Sequence, residues 1–286
     1  MAQEYRQIVL SEPKPFVKWA GGKRQLMSEL EKNFPIKFGT YLEPFLGGGA
    51  VMFDLLAKNS NLKCNVSDLN SDLVLAYVTI RDRLGRLIES LENHSKNYHK
   101  DSTGYYYEVR KQEPKNQIEK VSRLLFLNKT CFNGLYRVNS KGKFNVPLGR
   151  YTNPNIVNKG NLEIVSKALR TEKIKISCRD FESVINDAKK DDFVYFDPPY
   201  QPVSDTANFT SYTHRDFTED DLERLVDLAN RLDSKGCNVL LSNSNSKTVK
   251  KLFSSEWNIT EIKANRAINS NSQKRTGHKE IIIKNY

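Results

Sequence analysis

The stretch TYLEPFLGGGAVMFDLLAKN, residues 40–59, decides the fold predicted for this chain. A short apolar strand runs into three glycines at positions 47 to 49, and a helical pattern follows in which Val51 and Phe53 are available for burial. A glycine turn between a strand and a helix lets a ligand approach the backbone closely. We therefore predict a β-turn-α unit whose turn borders a binding site.

The same alternation of strands and helices continues along the chain. Strands are predicted within LKCNVSDLN (62–70), KIKISCRDF (173–181), DFVYFDPPY (192–200), CNVLLSNS (237–244) and KEIIIKNY (279–286). A helix is predicted within 217–236, because Thr218 and Asp221 fit a capping box and Gly236 fits a C-terminal stop. Nearly continuous apolar strands that alternate with helices predict an α/β protein with a mostly parallel sheet covered on both faces.

The pattern changes between the second and third of these strands. Charged helical stretches with several tyrosines are followed by a segment rich in turn residues, and in that segment Gly142 suits the left-handed position of a hairpin loop between LYRVN and KFNVP. We read residues 71–160 as an insertion that carries a hairpin at 132–151. Residues 1–70 and 161–286 are then expected to form one catalytic domain.

Charge and hydropathy limit the class of protein. The chain has 286 residues, with 45 Lys and Arg against 34 Asp and Glu, which gives a formal net charge of +11. This balance favours a polyanionic partner such as nucleic acid, although a soluble protein with solvated lysines is an alternative. We find no apolar run long enough to span a bilayer and no secretory signal pattern, and therefore expect a cytoplasmic location without membrane attachment.

The four cysteines, Cys64, Cys131, Cys178 and Cys237, are far apart in sequence and form no CxxC pair. Neither a disulfide framework nor a structural zinc site is therefore indicated. We expect these cysteines to be small core residues, and we expect no bound metal.

Four predicted strands end in polar or glycine-rich segments, namely EPFLGGGA, SDLN, CRDF and DPPY. In a doubly wound sheet, ligands bind beyond these strand ends, and an acid about 20 residues after a glycine turn, here Asp68, accepts hydrogen bonds from a ribose. Met52 occupies the third glycine position of GxGxxG, and AGGKR does not complete a phosphate loop. A nucleoside ligand without phosphate, such as S-adenosylmethionine, fits better. A flexible glycine turn and a helix-capping role for Asp68 are the structural alternatives.

The DPPY tetrapeptide, residues 197–200, follows a strand that reads as buried. Its prolines would hold the Asp197 carboxylate and the Pro198 carbonyl rigidly, so that both accept hydrogen bonds from an exocyclic amine and favour its attack on a methylsulfonium. The Tyr200 ring can stack on the base. Because an amine inside a duplex is out of reach, the nucleotide has to be flipped out. A simple turn after the strand is the alternative.

The ordered set KWAGGK, EPFLGGGA, SDLN, FNGLYRVNSKGKFNVPLGRY, DPPY and LLSNS closely resembles the Dam-type DNA adenine-N6 methyltransferases, over nearly the whole chain. The resemblance is especially close to the modification enzymes of GATC-specific type II restriction systems. The segment FTSYTH (209–214) also resembles that branch of the family. It implies a Rossmann-like S-adenosylmethionine-dependent methyltransferase sheet with an inserted helical and β-hairpin DNA-recognition domain. It further implies methylation of double-stranded DNA in GATC by a prokaryotic monomer or weak dimer, as part of a restriction-modification system.

The resemblance also implies roles for individual residues. The implied cofactor-binding residues are Trp19, Lys23, Phe45, Gly47, Gly49, Asp68, Asp180, Phe181 and Asp197. In the implied catalytic set, Asp197 is the acid, Pro198 lends its carbonyl and Tyr200 stacks on the flipped adenine. The implied DNA-binding residues are Lys18, Phe132, Leu135, Arg137, Asn139, Pro147 and Arg150.

Some of these positions admit simpler roles or depart from the family. Lys23 is implied to lie near the carboxylate of the cofactor, yet by residue type alone Trp19 would be core packing and Lys23 a solvated charge. Phe132 replaces a tyrosine of the relatives, but insertion between bases needs only a flat ring. The hairpin taken alone would be an exposed basic turn.

Other activities stay open at this point. Cytosine-C5 methylation is disfavoured, because its catalytic cysteine usually follows a proline and none of the four does so here. Cytosine-N4 methylation uses the same arrangement of acceptors. An RNA methyltransferase, or an inactive nucleic-acid-binding module with the same fold, are the further alternatives.

Overall fold

The structure, a computed structural model, describes residues 12–19, 21–139, 141–200, 217–253, 256–264 and 278–286, so the FTSYTH segment lies outside the described residues. The described strands are β1 (Thr40–Glu43), β2 (Lys63–Asp68), β3 (Ile174–Cys178), β4 (Phe193–Phe196), β5 (Asn238–Ser244), β6 (Asn258–Ala264) and β7 (His278–Lys284). The described α-helices are α1 (Met27–Glu31), α2 (Ala50–Lys58), α3 (Ser71–Asp82), α4 (Leu84–Lys100), α5 (Ser102–Lys111), α6 (Gln117–Thr130), α7 (Lys159–Leu169), α8 (Val184–Asp187), α9 (Glu219–Ser234) and α10 (Lys247–Leu252).

The seven strands form one sheet in the order β3-β2-β1-β4-β5-β7-β6. Neighbouring strands are parallel except at β7, which is antiparallel to both β5 and β6. The fold is therefore mixed α/β with a mostly parallel sheet, as in Rossmann-like methyltransferases, and the predicted fold class is confirmed.

The strand order reverses between β1 and β4, and this reversal positions the site. From β1 the chain moves outward through β2 to β3, whereas β4 and β5 lie on the other side of β1. Ligands of doubly wound sheets bind at such a switch point, beyond the carboxyl ends of the strands. The glycine turn after β1 and the DPPY segment after β4 meet there.

Alternating residues of the central strands bury their side chains in two different cores. On β4, Phe193 and Tyr195 pack into the core on one face, while Val194 and Phe196 pack into the core on the other. All four side chains are fully buried, as expected for the middle of a sheet covered on both faces. The same alternation positions the site, because the side chain of Asp197 lies on the face of the sheet that carries Tyr195.

Helix α9 follows its sequence signals closely. The Thr218 side chain accepts a hydrogen bond from the Asp221 amide, and the Asp221 side chain accepts one from the Thr218 amide, which completes the predicted capping box. Gly236 has a φ of +76° directly after the helix, as the predicted C-terminal stop requires. The predicted apolar face, Leu222, Leu225, Val226, Ala229 and Leu232, is buried.

The helices that follow β2 share their core with the sheet. Tyr98, Tyr106 and Phe126 belong to the same buried cluster as Tyr41 and Phe193 of the sheet. The segment 71–160 is thus attached through a common apolar core, and its division from the rest of the chain as a separate domain stays a prediction.

Two details differ from expectation. Strand β6 was not predicted, because NITEIKA carries only two isoleucines among polar residues and its pairing with β7 is what makes it a strand. Cys64, Cys131 and Cys237 are buried as expected, but Cys178 is exposed at the end of β3. Within the described ranges, no helix combines the length and the apolar character needed to cross a membrane.

Candidate active site

Asp197 lies directly after β4, and two side chains fix its orientation. The Lys23 ammonium pairs with its Oδ1 at 2.7 Å, and the Ser242 hydroxyl donates to the same oxygen at 3.1 Å. Among the described residues, no hydrogen bond to Oδ2 is found. The Asp197 side chain keeps 19% of its surface exposed against 4% for Lys23. Oδ1 is therefore anchored, whereas Oδ2 has no hydrogen-bond partner among the described residues.

Three neighbours of Asp197, namely Tyr195, Ser242 and Glu280, lie on one face of the sheet on β4, β5 and β7. Tyr195 and Ser242 are hydrogen-bonded through their hydroxyls at 2.9 Å. The Tyr200 hydroxyl donates to Glu280 on β7 at 2.8 Å, and the Tyr200 ring centroid lies 4.8 Å from the Lys23 ammonium. We refer to Lys23, Tyr195, Asp197, Tyr200, Ser242 and Glu280 as the Asp197 cluster.

Burial and charge shift the titration of this cluster. Burial raises the pKa of Asp197 above its ordinary value, and the charge of Lys23 opposes this rise. Burial alone would lower the pKa of Lys23, but Asp197, Tyr195 and Glu280 outweigh burial and raise it. Lys23 is therefore a cation at neutral pH. The sequence alternative of a solvated charge is wrong for this residue, because its ammonium is buried on the acid.

The glycine turn after β1 is closed by Asp68. The Asp68 carboxylate accepts hydrogen bonds from the Gly47 amide and the Asn70 amide, each at 2.8 Å. The cap of α3 is Asn70, whose side chain accepts from the Leu73 amide at 3.0 Å, so the helix-capping alternative for Asp68 is wrong. Asp68 instead joins the end of β2 to the turn, and burial raises its pKa while these amides oppose the rise.

Two glycines of the turn have backbone conformations that other residues rarely adopt. Gly47 has a φ of +50° and Gly49 a φ of +69°. A Cβ on Gly49 would lie 2.6 Å from the hydroxyl of Tyr77, which donates to the Gly47 carbonyl at 3.0 Å. The turn is therefore a rigid, specifically packed structure rather than a flexible linker. Met52, at the third glycine position of the dinucleotide motif, is fully buried beneath it.

A cluster of aromatic rings lies beside the turn. The rings of Phe45 and Phe181 stack with centroids 5.2 Å apart, and Phe217 meets Phe45 edge-on at 6.0 Å. Asp180, next to Phe181, accepts hydrogen bonds from the Glu182 amide and the Arg224 guanidinium, each at 3.0 Å. Arg224 also lies 4.9 Å from the Phe181 ring centroid. The structure thus brings the predicted residues Phe45, Asp180 and Phe181 together.

Residues 131–139 and 141–149 form an antiparallel pair of segments that we call the ribbon. Hydrogen bonds join the Asn139 amide to the Lys143 carbonyl and the Asn145 amide to the Arg137 carbonyl, but only isolated bridges form and not a continuous ladder. Gly142 has the predicted positive φ, +72°. The Arg137 guanidinium donates to the Asn145 side chain at 2.7 Å across the ribbon.

The predicted DNA-contacting residues lie on or beside this ribbon and differ in exposure. The exposed ones are Lys18, Phe132, Asn139, Pro147 and Arg150, and the half-buried ones are Leu135 and Arg137. Phe132 keeps 41% of its surface exposed, which is unusual for a large apolar ring.

The N-terminal loop links the ribbon to the glycine turn. Asn128 on α6 bonds both the amide and the carbonyl of Lys18 at 2.8 Å and also the Gly134 carbonyl at 3.1 Å. The ring of Trp19 packs on Tyr136 of the ribbon at 5.2 Å, and it lies 3.1 Å from where a Cβ on Gly47 would stand. Trp19 thus contacts both the ribbon and the turn.

Several residues of the site were missed by sequence reasoning, namely Tyr77, Asn128, Arg224, Ser242 and Glu280. The available signal was local: Ser242 and Glu280 are polar side chains within or beside the apolar runs LLSNS and KEIII. A buried polar residue needs a partner, so such positions indicate a network. Which partner each one takes depends on contacts across the sheet, and the sequence does not carry that information.

The sequence is similar to known proteins over almost its full length. A profile of the family described as D12 class N6 adenine-specific DNA methyltransferase matches residues 19–268. The type II methyltransferase M.MjaIII of Methanocaldococcus jannaschii is 45% identical over 291 residues, covering 96% of this chain and 100% of that protein. The type II methyltransferase M1.LlaDCHI of Lactococcus lactis subsp. cremoris is 43% identical over 279 residues, covering 96% and 95%.

A relative with a different name extends the comparison. The DNA adenine methylase of Haemophilus influenzae is 33% identical over 276 residues, which cover 94% of this chain and 92% of that protein. Because the profile and all three alignments include the glycine turn, the DPPY segment and the ribbon between them, the chain belongs to the D12 class of N6 adenine-specific DNA methyltransferases.

Proposed function

We propose that this enzyme transfers a methyl group from S-adenosylmethionine to N6 of an adenine that is flipped out of duplex DNA, within the sequence GATC. The observation that carries this proposal is the way in which the carboxylate of Asp197 is bonded. Its Oδ1 is anchored by Lys23 and Ser242, while Oδ2 stays available to a ligand at the switch point of the sheet.

The residues around the turn fit a nucleoside that lacks phosphates. Phe45 and Phe181 offer an aromatic surface for a base, and the half-buried carboxylates of Asp68 and Asp180 suit hydroxyl and amino donors. S-adenosylmethionine would supply a methyl group that is already activated for transfer.

The residues that would hold this cofactor are those implied by the sequence. They are Trp19, Lys23, Phe45, Gly47, Gly49, Asp68, Asp180, Phe181 and Asp197. Lys23 contacts Asp197. This contact favours a position of the Lys23 ammonium between the cofactor and Asp197 over a position at the cofactor's carboxylate alone.

The chain's own contribution to the reaction is orientation and charge. The Asp197 carboxylate and the Pro198 carbonyl would accept the two hydrogens of the adenine N6 amine, which raises electron density on N6 and aligns it for attack. Tyr200 would stack on the flipped base. Bound S-adenosylmethionine would supply the methyl group, which would pass from its sulfur to N6, and N6 would then release one proton. Asp197 is a suitable first acceptor of this proton, because burial raises its pKa.

The ribbon is the proposed reader of the DNA sequence. A two-stranded segment fits the major groove, where an arginine reads guanine and an asparagine reads adenine. Arg137 and Asn139 are proposed as these contacts, with Lys18, Leu135, Pro147 and Arg150 beside them and Phe132 inserted between bases. Support comes from the exposure of Phe132 and from the net charge of +11.

The biological setting follows by similarity. Two of the relatives described above carry the name type II methyltransferase, which supports a modification role in a restriction-modification system. A monomer or weak dimer in a prokaryotic cytoplasm, with a recognition domain at residues 71–160, completes the proposal.

A plasmid protection assay tests the function and the site together. The enzyme is incubated with S-adenosylmethionine and unmethylated plasmid, and the product is digested with one nuclease that requires adenine methylation in GATC and one that is blocked by it. We expect cleavage by the first and resistance to the second. Methylation detected without a change in either digestion would contradict GATC as the target, and methylation of RNA alone would contradict the DNA assignment.

A further inference from the structure

Glu280 is a buried carboxylate that is hydrogen-bonded to Tyr200 and has no role in the proposed methyl transfer. The Tyr200 hydroxyl donates to its Oε2 at 2.8 Å, and Glu280 keeps only 6% of its surface exposed. Glutamate is almost never buried to this extent unless it is paired. The burial of Glu280 and its bond to Tyr200 therefore indicate a specific role for an acid at this position.

The sheet places Glu280 beside the reacting residues although it is distant in sequence. Strand β7 is antiparallel to β5, with Glu280 opposite Ser244 and Ile282 opposite Ser242. Alternate residues of a strand share a face, so Glu280 faces the same side as Ser242, Tyr195 and Asp197. Because β7 runs in the opposite direction, its start lies at the edge where the parallel strands β4 and β5 end.

The charges around Glu280 show that it is not a simple ion-pair partner of Lys23. The Lys23 ammonium contacts Asp197 at 2.7 Å, and among the described residues no salt bridge involves Glu280. Glu280 acts on both groups through space, since its charge raises the pKa of Lys23 and that of Asp197. Among the residues that the structure describes, the hydrogen-bond partner of the Glu280 side chain is the Tyr200 hydroxyl.

We propose that Glu280 is a positioning residue for the flipped adenine. It accepts the Tyr200 hydroxyl and so holds the ring in one orientation, with one ring face toward Lys23 and the other presented to the base. This inference rests on the proposed function, because it requires an adenine that leaves the duplex and stacks on Tyr200. A ring fixed in advance loses less conformational freedom when the base arrives.

The strength of the effect follows from the bond. A hydrogen bond to a charged acceptor corresponds to a change of about 10- to 100-fold in an equilibrium or rate constant. Loss of the bond, in Glu280→Ala or Tyr200→Phe, should lower kcat and the stacking of the base by an amount in this range. Glu280→Gln keeps an acceptor but no charge, and neutral hydrogen bonds are weaker, so its loss should be intermediate.

The experiment uses a GATC duplex in which 2-aminopurine replaces the target adenine, because its fluorescence rises when the base leaves the stack. Wild type, Glu280→Ala, Glu280→Gln, Tyr200→Phe and the double variant Glu280→Ala/Tyr200→Phe are compared for this rise and for kcat on the ordinary duplex. The Kd for S-adenosylmethionine and thermal unfolding are measured for each. Glu261→Ala is the matched control, since Glu261 is an exposed glutamate on β6 that pairs with Lys250.

We expect both single removals to weaken the fluorescence rise and kcat while the Kd for S-adenosylmethionine changes little. The double variant should lose no more than the worse single variant, because both changes remove one bond. Glu261→Ala should behave as wild type. Additive losses, or a Glu280→Ala variant with an unchanged fluorescence rise, would overturn the role of Glu280 alone. A wild-type enzyme that methylates DNA without any fluorescence rise would overturn base flipping and this inference together.

Discussion

At the scale of single residues, the account depends on how Asp197 is held. A carboxylate at the end of a buried strand is costly unless it is paired, and here Lys23 and Ser242 both bond to Oδ1. These bonds favour the ionised form of Asp197, although burial outweighs them and raises its pKa, and they anchor Oδ1. The same contacts make Asp197 sensitive to substitution of either partner.

Replacement of the acid gives the first prediction. Asp197→Ala should abolish methyl transfer, because it removes the carboxylate that is proposed to orient N6, while the fold is retained since the side chain is partly exposed. Turnover is measured with labelled S-adenosylmethionine, and the fold is followed by circular dichroism. Turnover close to that of wild type would refute the role of Asp197.

The ion pair predicts a pH effect with a definite sign. Asp197 accepts hydrogen bonds fully only when it is ionised, so activity should fall on the acid side as pH approaches its raised pKa. The charge of Lys23 lowers the pKa of Asp197, so Lys23→Met should raise it further and move the acid limb of kcat to higher pH.

The control for this prediction is Lys58→Met, because Lys58 pairs with Asp54 on the surface of α2. It should leave the pH profile of kcat unchanged. An acid limb that stays in place, or that moves to lower pH in Lys23→Met, would show that Lys23 does not set the titration of Asp197.

The chemistry of individual residues was predictable where it depends on local sequence. DPPY indicated an acid held by prolines, and the spacing of Asp68 from the glycines predicted an acid that binds a ribose. The hydrogen bond that Asp68 accepts from the Gly47 amide was not predicted. The position of Lys23 on Asp197 was not predictable, because 174 residues separate them (197 − 23) and only the fold brings them together.

At the scale of elements, the ribbon is joined by separate backbone hydrogen bonds, such as that from the Phe132 amide to the Pro147 carbonyl, and by side chains, but not by a continuous ladder. The Arg137 guanidinium is oriented by Asn145, and Asn128 fixes the ribbon's start against Lys18. A reader of base edges needs such fixed orientation, because discrimination between bases depends on hydrogen-bond geometry.

This arrangement predicts that Arg137→Ala loses about 1 to 3 kcal/mol of discrimination at one base pair of the site. Asn145→Ala should cause a smaller loss at the same base pair, because the arginine stays but is no longer oriented. The measurement is kcat/KM on a set of duplexes with each base pair of the site substituted in turn. A uniform loss on all duplexes would identify Arg137 as a phosphate contact instead.

The glycine turn predicts a stability effect. Gly49→Ala places a Cβ at a positive φ and 2.6 Å from the Tyr77 hydroxyl, so we expect a loss of about 1 to 3 kcal/mol in the free energy of unfolding. Gly85→Ala is the matched control, because Gly85 lies in α4 with nothing within 4 Å of a Cβ and should be neutral or slightly stabilising. Equal unfolding free energies of the two variants in urea would contradict the packed turn.

Elements with strong local signals were predicted well. Helix α9 has its capping box and its stop glycine, and the β1-turn-α2 unit has its three glycines. Strand β6 and the irregular pairing of the ribbon were not predicted, because both depend on which segment lies alongside and not on the residues of the segment itself.

At the scale of the whole molecule, the strand order brings the pieces together. The reversal between β1 and β4 places the glycine turn, Asp68 and the stacked rings of Phe45 and Phe181 on one side, and Asp197 on the other. Trp19 then contacts both the turn and Tyr136 of the ribbon, so the predicted cofactor site and the predicted DNA-reading segment share a side chain. The net charge of +11 is consistent with a phosphate backbone as partner.

The class of fold was predictable from the alternation of strands and helices, whereas the details of the site were not. Alternate residues of a strand face opposite sides of the sheet, and on β4, β5 and β7 this alternation places Tyr195, Ser242 and Glu280 on the same face as Asp197. Which residues meet across neighbouring strands depends on the register between the strands, and nearly continuous apolar runs do not determine that register.

The most direct test of the central claim is mass spectrometry of the nucleosides released from duplex DNA after incubation with S-adenosylmethionine and either wild-type enzyme or Asp197→Ala. The account predicts N6-methyl-2′-deoxyadenosine from the wild type and none from Asp197→Ala. Methylated cytosine as the product, or methylated adenine at wild-type yield from Asp197→Ala, would contradict it.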